Sequence, residues 1–426
     1  MQKSFTELAK HLCSEQTAIS EWLDTQVDTR HLPIYSSVDV RESAFKMGVV
    51  DTNLFPAGFN NICQSAIPEM ARQMGSAIRL RNPETTRVLI LCESHTRNPF
   101  YWSHVSVLQA ILRTAGFIFE TVGFFEQTED DFVEVSRSDG STFQVLNVQN
   151  WQKSDWESRT DFILLNHDLS GGFPPILDEL SIPIYPNLTA GWHLRTKSAH
   201  FECANRLIAS LIQTFCPDFD PWLLGTYFES AKDVSIYEDE DRSKLADLAS
   251  DLFKKIQSQY KTHHIDEKPL IFLKANAGTY GMGVMAIEDP KEILSLNRKH
   301  KNKLATGKGS LVISDYILQE GIPSRYQSNG ETGELVIYQI ETQFSGSFFR
   351  LNSQKNGRDN LNSTGMHFAP LCRTLSNSCC DTRFTEPLSD HSMILSKLLA
   401  RLAAVATICE SKRNCMGQKS PDQTHL

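Results

Sequence analysis

Several familiar chemistries are missing from these 426 residues. No stretch approaches the ~18 consecutive apolar residues that a membrane span needs. The start, "MQKSFTELAKHLCSEQTAISEWLDTQ", mixes charges through a helical pattern and lacks a signal peptide's apolar core, so neither a membrane partner nor export is expected. The ten cysteines include no C-x-x-C pair, which speaks against a zinc site or a redox dithiol. Scattered through a long chain without a signal, they read as reduced thiols of a cytoplasmic protein. Cys379 and Cys380 are adjacent, and adjacent residues rarely converge on one metal ion. Positive charge is also short: a net charge of -9 and a pI near 5.8 leave no footprint for a non-specific nucleic-acid binder. An acidic substrate must therefore be met by a local cluster of Arg and Lys. The basic stretch "RKHKNKLATGKG" (298–309) carries no aromatic residue for stacking bases and reads as a solvated helix or loop. No internal repeat, low-complexity tract or Ser-His-Asp arrangement is evident.

What is present is ordinary globular composition, 40% hydrophobic and 22% charged, with length enough for two or three domains. Residues 1–80 look helical, with Ile62, Ile67, Met70, Met74 and Ile78 at spacings close to helical. "RVLILC" (87–92), "FIFETVGFF" and "DFILLN" (161–166) are buried-strand candidates separated by a helix-like stretch, "FYWSHVSVLQAILRTAG". "SRSDGS" marks a hairpin turn between "DFVEV" and "TFQVLNV". The pattern predicts an open α/β sheet, whose ligands bind beyond the carboxyl ends of strands, where "ESHTRNP" and "HDLSGGFPP" lie. Residues 196–265 read as mainly helical. The acidic "YEDEDRS" (237–243) suits a helix N-terminus. After residue 265 the chain turns β-rich and closes with an amphipathic helix, "LSKLLARLAAVATICE" (395–410). Three units follow: an N-terminal helical and α/β domain over 1–195, a helical connection over 196–265, and a nucleotide-binding domain over 266–426.

The chemistry is concentrated late. In "FLKANAGTYGMGV" (272–284) the glycines run G-x-x-G-x-G, at Gly278, Gly281 and Gly283, and fit neither the P-loop nor the dinucleotide fingerprint. Lys274 precedes them at the end of an apolar run. A strand ending there projects the amine into the space that the loop encloses, and glycines let backbone N–H groups approach an anion. "VISDYILQEGIPS" (312–324) is a strand running into Gln319, Glu320 and Ile322, a polar edge and apolar neighbour that could receive an adenine. "GELVIYQIETQFSGSFFRLN" (333–352) reads as a hairpin placing Arg350 and Asn352 on one face. Asn360 and Asn362 add oxygen donors in the following loop.

Taken in order, these parts resemble an ATP-grasp module, and the chain resembles the proteobacterial type of glutamate–cysteine ligase. The stretches that carry the likeness are "ESHTRNPFYW" (93–102), "LLNHDLSGGFPPIL" (164–177), "PNLTAGWHLRTKSAHF" (186–201), "FLKANAGTYGMGVMAI" (272–287), "LQEGIPS" (318–324) and "DNLNSTGMHFAPL" (359–371). The resemblance implies a mixed α/β fold, with an N-terminal open α/β sheet domain followed by an ATP-grasp-like domain. It implies ATP and Mg²⁺ as cofactors, glutamate and cysteine as partners, and γ-glutamylcysteine as product through an acyl phosphate. Lys274 and Arg350 are the candidate catalytic cations. Gly278, Thr279, Tyr280, Gly281, Gly283, Gln319, Glu320 and Ile322 would join Lys274 around ATP. Arg97, Arg195 and Lys197 are candidate anchors for α-carboxylates. Glu93 and Asp168 could receive ammonium groups, and Asn166 and Ser170 could orient the reacting carboxyl. A homo-oligomer is left open.

The likeness is incomplete in one respect. No clear Glu-x-Asn pair follows the last hairpin, so the metal would fall to Glu341, Asn352, Asn360 and Asn362, with Glu334 as a further oxygen. His95, His193 and His200 lie in the resembling stretches, where a structural role weighs more than that of general base. Two other readings stand beside the leading one: an ATP-grasp ligase with another amine acceptor, and a nucleotide-binding regulator without turnover.

Overall fold

The computed structural model describes residues 4–93, 98–125, 130–153, 157–172, 174–177, 180–278, 283–307, 312–371 and 388–417. Helices α1 (Phe5–Ser14) and α2 (Gln16–Thr25) open the chain. The first starts in a capping box in which Ser4 and Glu7 satisfy each other's backbone N–H groups. The helical expectation then fails between residues 35 and 53, which form an antiparallel pair, β1 (Tyr35–Glu42) and β2 (Met47–Asn53). Strand β1 is covered on both sides, so its polar residues do not mark a solvent face. Helix α3 (Ile67–Arg81) follows as its periodicity requires.

The open α/β sheet is present where the sequence places it. Strand β3 (Arg87–Cys92) leads to α4 (Pro99–Thr114), started by the Asn98 cap and a proline in its first turn, and then to β4 (Ile118–Gly123). The hairpin β5 (Phe132–Ser136) and β6 (Thr142–Asn147), α5 (Val148–Lys153), β7 (Phe162–Asn166) and β8 (Ile184–Tyr185) complete the unit. The order is β5-β6-β4-β3-β7-β8, parallel except for β5. Leu89 and Leu91 on one face and Val88 and Ile90 on the other enter separate cores, as expected of a sheet covered on both sides.

Helix α6 (Lys197–Phe215) and α7 (Asp239–Thr262) fill the connecting region, with Asp239, Glu240 and Asp241 in the first turn of α7 as the helix dipole favours. Strand β9 (Phe228–Ala231) interrupts them and joins an antiparallel sheet with β10 (Ile271–Ala275), β11 (Met285–Ile287) and β12 (Tyr316–Glu320), in the order β11-β10-β12-β9. Short helices α8 (Lys291–Leu294) and α9 (Arg298–Ala305) lie between; α9 holds the start of the basic stretch, with Arg298, Lys299, Asn302 and Lys303 exposed.

The last sheet unites the two ends of the chain. Strands β13 (Gln327–Ser328), β14 (Glu331–Ile340), β15 (Gln343–Asn352) and β16 (Met366–Pro370) are joined by β1 and β2, in the order β16-β15-β14-β1-β2. The β1–β14 ladder, from Tyr35↔Ile340 to Val40↔Leu335, crosses both boundaries drawn at 195 and 265. Its apolar face, Val38, Val40, Leu335, Ile337, Phe349 and Leu351, shares one core with Leu395, Leu398, Leu399 and Leu402 of helix α10 (Asp390–Gly417). Residues Asp390–Ser411 are long and apolar enough to cross a membrane, yet 72% of their most apolar window is buried within the protein. Among the described residues Cys13, Cys92, Cys203, Cys216 and Cys409 remain thiols as expected, whereas Cys63 is in a disulfide. Cys379 and Cys380 lie outside the described residues.

Candidate functional site

The polar face of the last sheet is the floor of a cavity of about 710 Å³. Alternation delivers it: while Val38 and Val40 enter the core, Ser37, Asp39 and Arg41 point the other way. Asp51 stands opposite Asp39 on β2, Val336 opposite it on β14, and Glu334 faces Arg350 across the β14–β15 hairpin. Tyr338, Phe348 and Phe368 extend the floor as an aromatic strip. The opposite wall comes from β10, β12 and the glycine loop, which contribute Phe272, Lys274, Ala277, Gly278 and Gln319.

The charges are densely paired. Arg350 Nη1 donates to Asp39 Oδ2 at 2.8 Å and also to Glu334. The Arg41 guanidinium donates to the second Glu334 oxygen and to the Asp359 carbonyl. Lys197 Nζ meets Asp51 Oδ1 at 2.5 Å. Lys274 Nζ donates to Gln319 Oε1 at 2.7 Å and to the Val50 carbonyl at 3.1 Å. Burial pushes the Lys274 amine down to about 8, against the opposing pull of Asp51. Burial alone would raise Asp51, but Lys197 and Lys274 hold it at about 2. Burial raises Asp39 although Arg350 opposes it, whereas Arg41 and Arg350 keep Glu334 below the usual range despite its burial. Arg350 is raised because the attraction of Asp39 and Glu334 outweighs its desolvation.

The structure brings together Lys274, Gly278, Gln319, Glu320, Arg350, Asp168, Lys197, Asn360 and Asn362 around this cavity. Gly278 adopts φ +104°, a conformation that glycine takes without strain. Gly283 adopts φ +66°, where a β-carbon would lie 3.4 Å from Ile313 and 3.5 Å from the Leu304 carbonyl. Thr279, Tyr280 and Gly281, like Arg97 and His95, lie outside the described residues. Although Glu320 borders the cavity, its carboxylate is committed elsewhere: it accepts from Trp222 Nε1 at 2.9 Å and the Tyr227 N–H at 3.0 Å, and pairs with the buried Lys46 at 3.0 Å. An adenine contact from this residue would fall to its backbone. Ile322 does not line the cavity; its side chain packs under Gly48, where a β-carbon would come within 2.6 Å of it.

Other candidates are placed behind the cavity wall. Glu93 accepts the Asp168 N–H, and Ser170 donates to Asp168 Oδ1, so the two hold the loop that carries Asp168. Asn166 is buried between His104, the Tyr35 hydroxyl and the Pro56 carbonyl. Arg195 pairs with Glu410 of α10 at 2.9 Å and donates to the Thr52 carbonyl; His200 contacts the same carboxylate. His193 does not line the cavity, and burial lowers its imidazole.

The expected metal ligands do not converge. Glu341 is remote, its carboxylate paired with Arg81 at 2.6 Å. The Asn352 amide spans the Leu361 and Thr364 carbonyls and caps the Gln354 N–H, a structural role. Asn360 and Asn362 reach the cavity, but Asn360 Oδ1 accepts the Asn362 N–H. Among the described residues no group of three His, Cys, Asp or Glu side chains is placed to hold a metal. The floor carboxylates suit a hard cation in kind, yet Arg and Lys occupy them, so these residues as arranged do not fit Mg²⁺.

Sequence reasoning missed Asp39, Arg41, Asp51 and Asn276. The first three sat in a segment read as helical, although Val38-Asp39-Val40-Arg41 alternates with the period of a strand. Asn276 ties the glycine loop to α6: its carbonyl accepts the Lys197 N–H at 2.7 Å and its Oδ1 accepts the Ser198 N–H at 2.9 Å. Only the assembled fold brings those two stretches together.

Comparison with known proteins follows the same line. A family model described as glutamate-cysteine ligase matches residues 9–411. Among solved structures, one from Methylobacillus flagellatus KT named for gamma-glutamylcysteine synthetase is 30% identical, with a TM-score of 0.82 over 96% of each chain. A D-alanyl-alanine synthetase A from Vibrio cholerae O1 biovar eltor is 12% identical, with a TM-score of 0.35 over 74% of this chain and 80% of the other, too low to carry an argument. A search of curated proteins found no significant match.

Proposed function

The chain belongs to the glutamate–cysteine ligase family, and from that premise we propose that the cavity joins the γ-carboxylate of glutamate to the amino group of cysteine at the expense of ATP. The observation that carries the reading is the placing of four cations, Arg41, Lys197, Lys274 and Arg350, around one cavity floored by a sheet. A carboxylate is a poor acyl donor and must first become an acyl phosphate. That step brings two anions together, and fixed cations stabilise the charge that develops. Lys274, at a strand end beside the glycine loop, acts on the phosphates as a point charge. Arg350, locked between Asp39 and Glu334, presents its guanidinium to the transferring phosphoryl group from a fixed direction. Excluding water from the cavity protects the acyl phosphate until the amine of cysteine attacks.

ATP enters with Mg²⁺ in this reading. Because the side chains as placed make no metal site, no protein ligand is assigned to the ion; Mg²⁺ commonly keeps its waters and binds substrate phosphates. The reaction is tested by ADP release with glutamate and cysteine supplied singly and together. Release that requires both amino acids and Mg²⁺ is expected. Tight ATP binding without release for any amino-acid pair would instead favour a regulator.

A further inference from the structure

The carboxylates that the sequence offers for an ammonium group, Glu93 and Asp168, hold the Asp168 loop together, with Asp168 Oδ1 taken by the Ser170 N–H and hydroxyl. A different carboxylate is better presented. Asp51 projects from β2 into the cavity with its side chain 35% exposed, and its partner Lys197, at the first turn of α6, lines the same space. Both ends are fixed from behind. Asp51 stands in register with Asp39, which Arg350 holds, and the Lys197 N–H is bound to the Asn276 carbonyl. The Lys197 ammonium also lies 4.6 Å from the centre of the Trp192 ring. Across the cavity, Gln319 supplies a second sign of a missing ligand. The residue is 1% exposed and its Oε1 accepts from Lys274, but its Nε2 is buried with no partner among the described residues.

We propose that the Asp51–Lys197 pair is the receptor for an α-amino-acid zwitterion, Asp51 taking the ammonium group and Lys197 the α-carboxylate of one of the two amino-acid substrates. The proposal rests on the ligase reading and deepens it. A zwitterion carries opposite charges on one carbon, and the ion pair offers the complementary charges side by side. Insertion exchanges one pairing for two, and the α-ammonium and α-carboxylate together add no net charge at the pair. Lys197 is only 9% exposed at the side chain, so opening the pair is tolerable only because the zwitterion supplies a new partner to both charges at once. A substrate analogue without the ammonium would bring its carboxylates to Asp51 with nothing between them. The carboxylate of Asp51, held at about 2 by its two lysines, stays charged throughout the neutral range.

The test is calorimetric, on the full chain with a non-hydrolysable ATP analogue present. The probes are L-glutamate against glutarate and L-cysteine against 3-mercaptopropionate. For one of these pairs the wild type prefers the amino acid by about 100-fold, the scale of one lost hydrogen bond to a charged group. Asp51→Asn reduces that preference to within about threefold, while an unchanged circular-dichroism spectrum reports an intact fold. Lys197→Met, a second and independent variant, loses instead the preference for the same amino acid over its decarboxylated amine, 4-aminobutyrate or cysteamine. Retention of the ammonium preference by Asp51→Asn, in an enzyme that still turns over, overturns the clamp alone. A wild type that binds neither amino acid and releases no ADP overturns the ligase reading with it.

Discussion

At the scale of single residues, Lys274 shows how position alters chemistry. The sequence places a lysine at a strand end before a glycine loop; its surroundings, Val50, Asp51, Gln319 and Lys197, come from other parts of the chain. With its amine at about 8, Lys274 is a cation below that pH and loses its charge above it. ATP affinity should therefore fall as pH rises through that value, by up to about tenfold per unit if the charge is fully engaged by phosphate. Lys274→Arg should hold affinity nearly flat over the same range, and a flat wild-type profile by calorimetry would count against the phosphate contact. The effect on folding has the opposite sign. Between about 8 and the usual 10.5 the unfolded chain binds more protons at this position, so its contribution to stability increases with pH. The value itself was not legible in the sequence, because it is set by burial and by charges distant along the chain.

Elements reveal a different division between what could be read and what could not. The hairpin carrying Arg350 and the parallel strands ending at Cys92 and Asn166 were legible from apolar runs, alternation and turn residues. Strands β1 and β2 were not. Their polar residues face a cavity instead of solvent, and the same stretch could be continued from the helices before it. Helix α10 shows the same principle at an interface. Its apolar residues announced a helix, but its contribution near the site depends on Glu410, which meets Arg195 and His200 of another segment. Arg195 and Glu410 are both 2% exposed at the side chain, so removing one charge strands the other. Glu410→Gln should cost roughly 3–5 kcal/mol in urea unfolding, as for a broken buried pair. The double variant Glu410→Gln, Arg195→Met should recover part of that loss, since the stranded charge is gone. A single-variant loss below about 1 kcal/mol would show that the pair is effectively solvated.

On the scale of the whole molecule, the site is a product of chain reunion. Its floor combines strands from residues 35–53 with strands from 331–370, its opposite wall comes from 271–320, and Lys197 enters from α6. This explains why the glycine loop and the Arg350 hairpin could be named from sequence while Asp39 and Asp51 could not: the former are local patterns, the latter depend on a ladder between distant segments. In this reading the assembly activates one carboxylate by phosphorylation. That claim is most directly tested with glutamate labelled by ¹⁸O in both oxygens of its γ-carboxylate, supplied with cysteine, ATP and Mg²⁺. An acyl phosphate transfers one labelled oxygen to the phosphate released, and mass spectrometry should find one ¹⁸O in inorganic phosphate for each peptide bond formed. Unlabelled phosphate accompanying γ-glutamylcysteine would contradict the account.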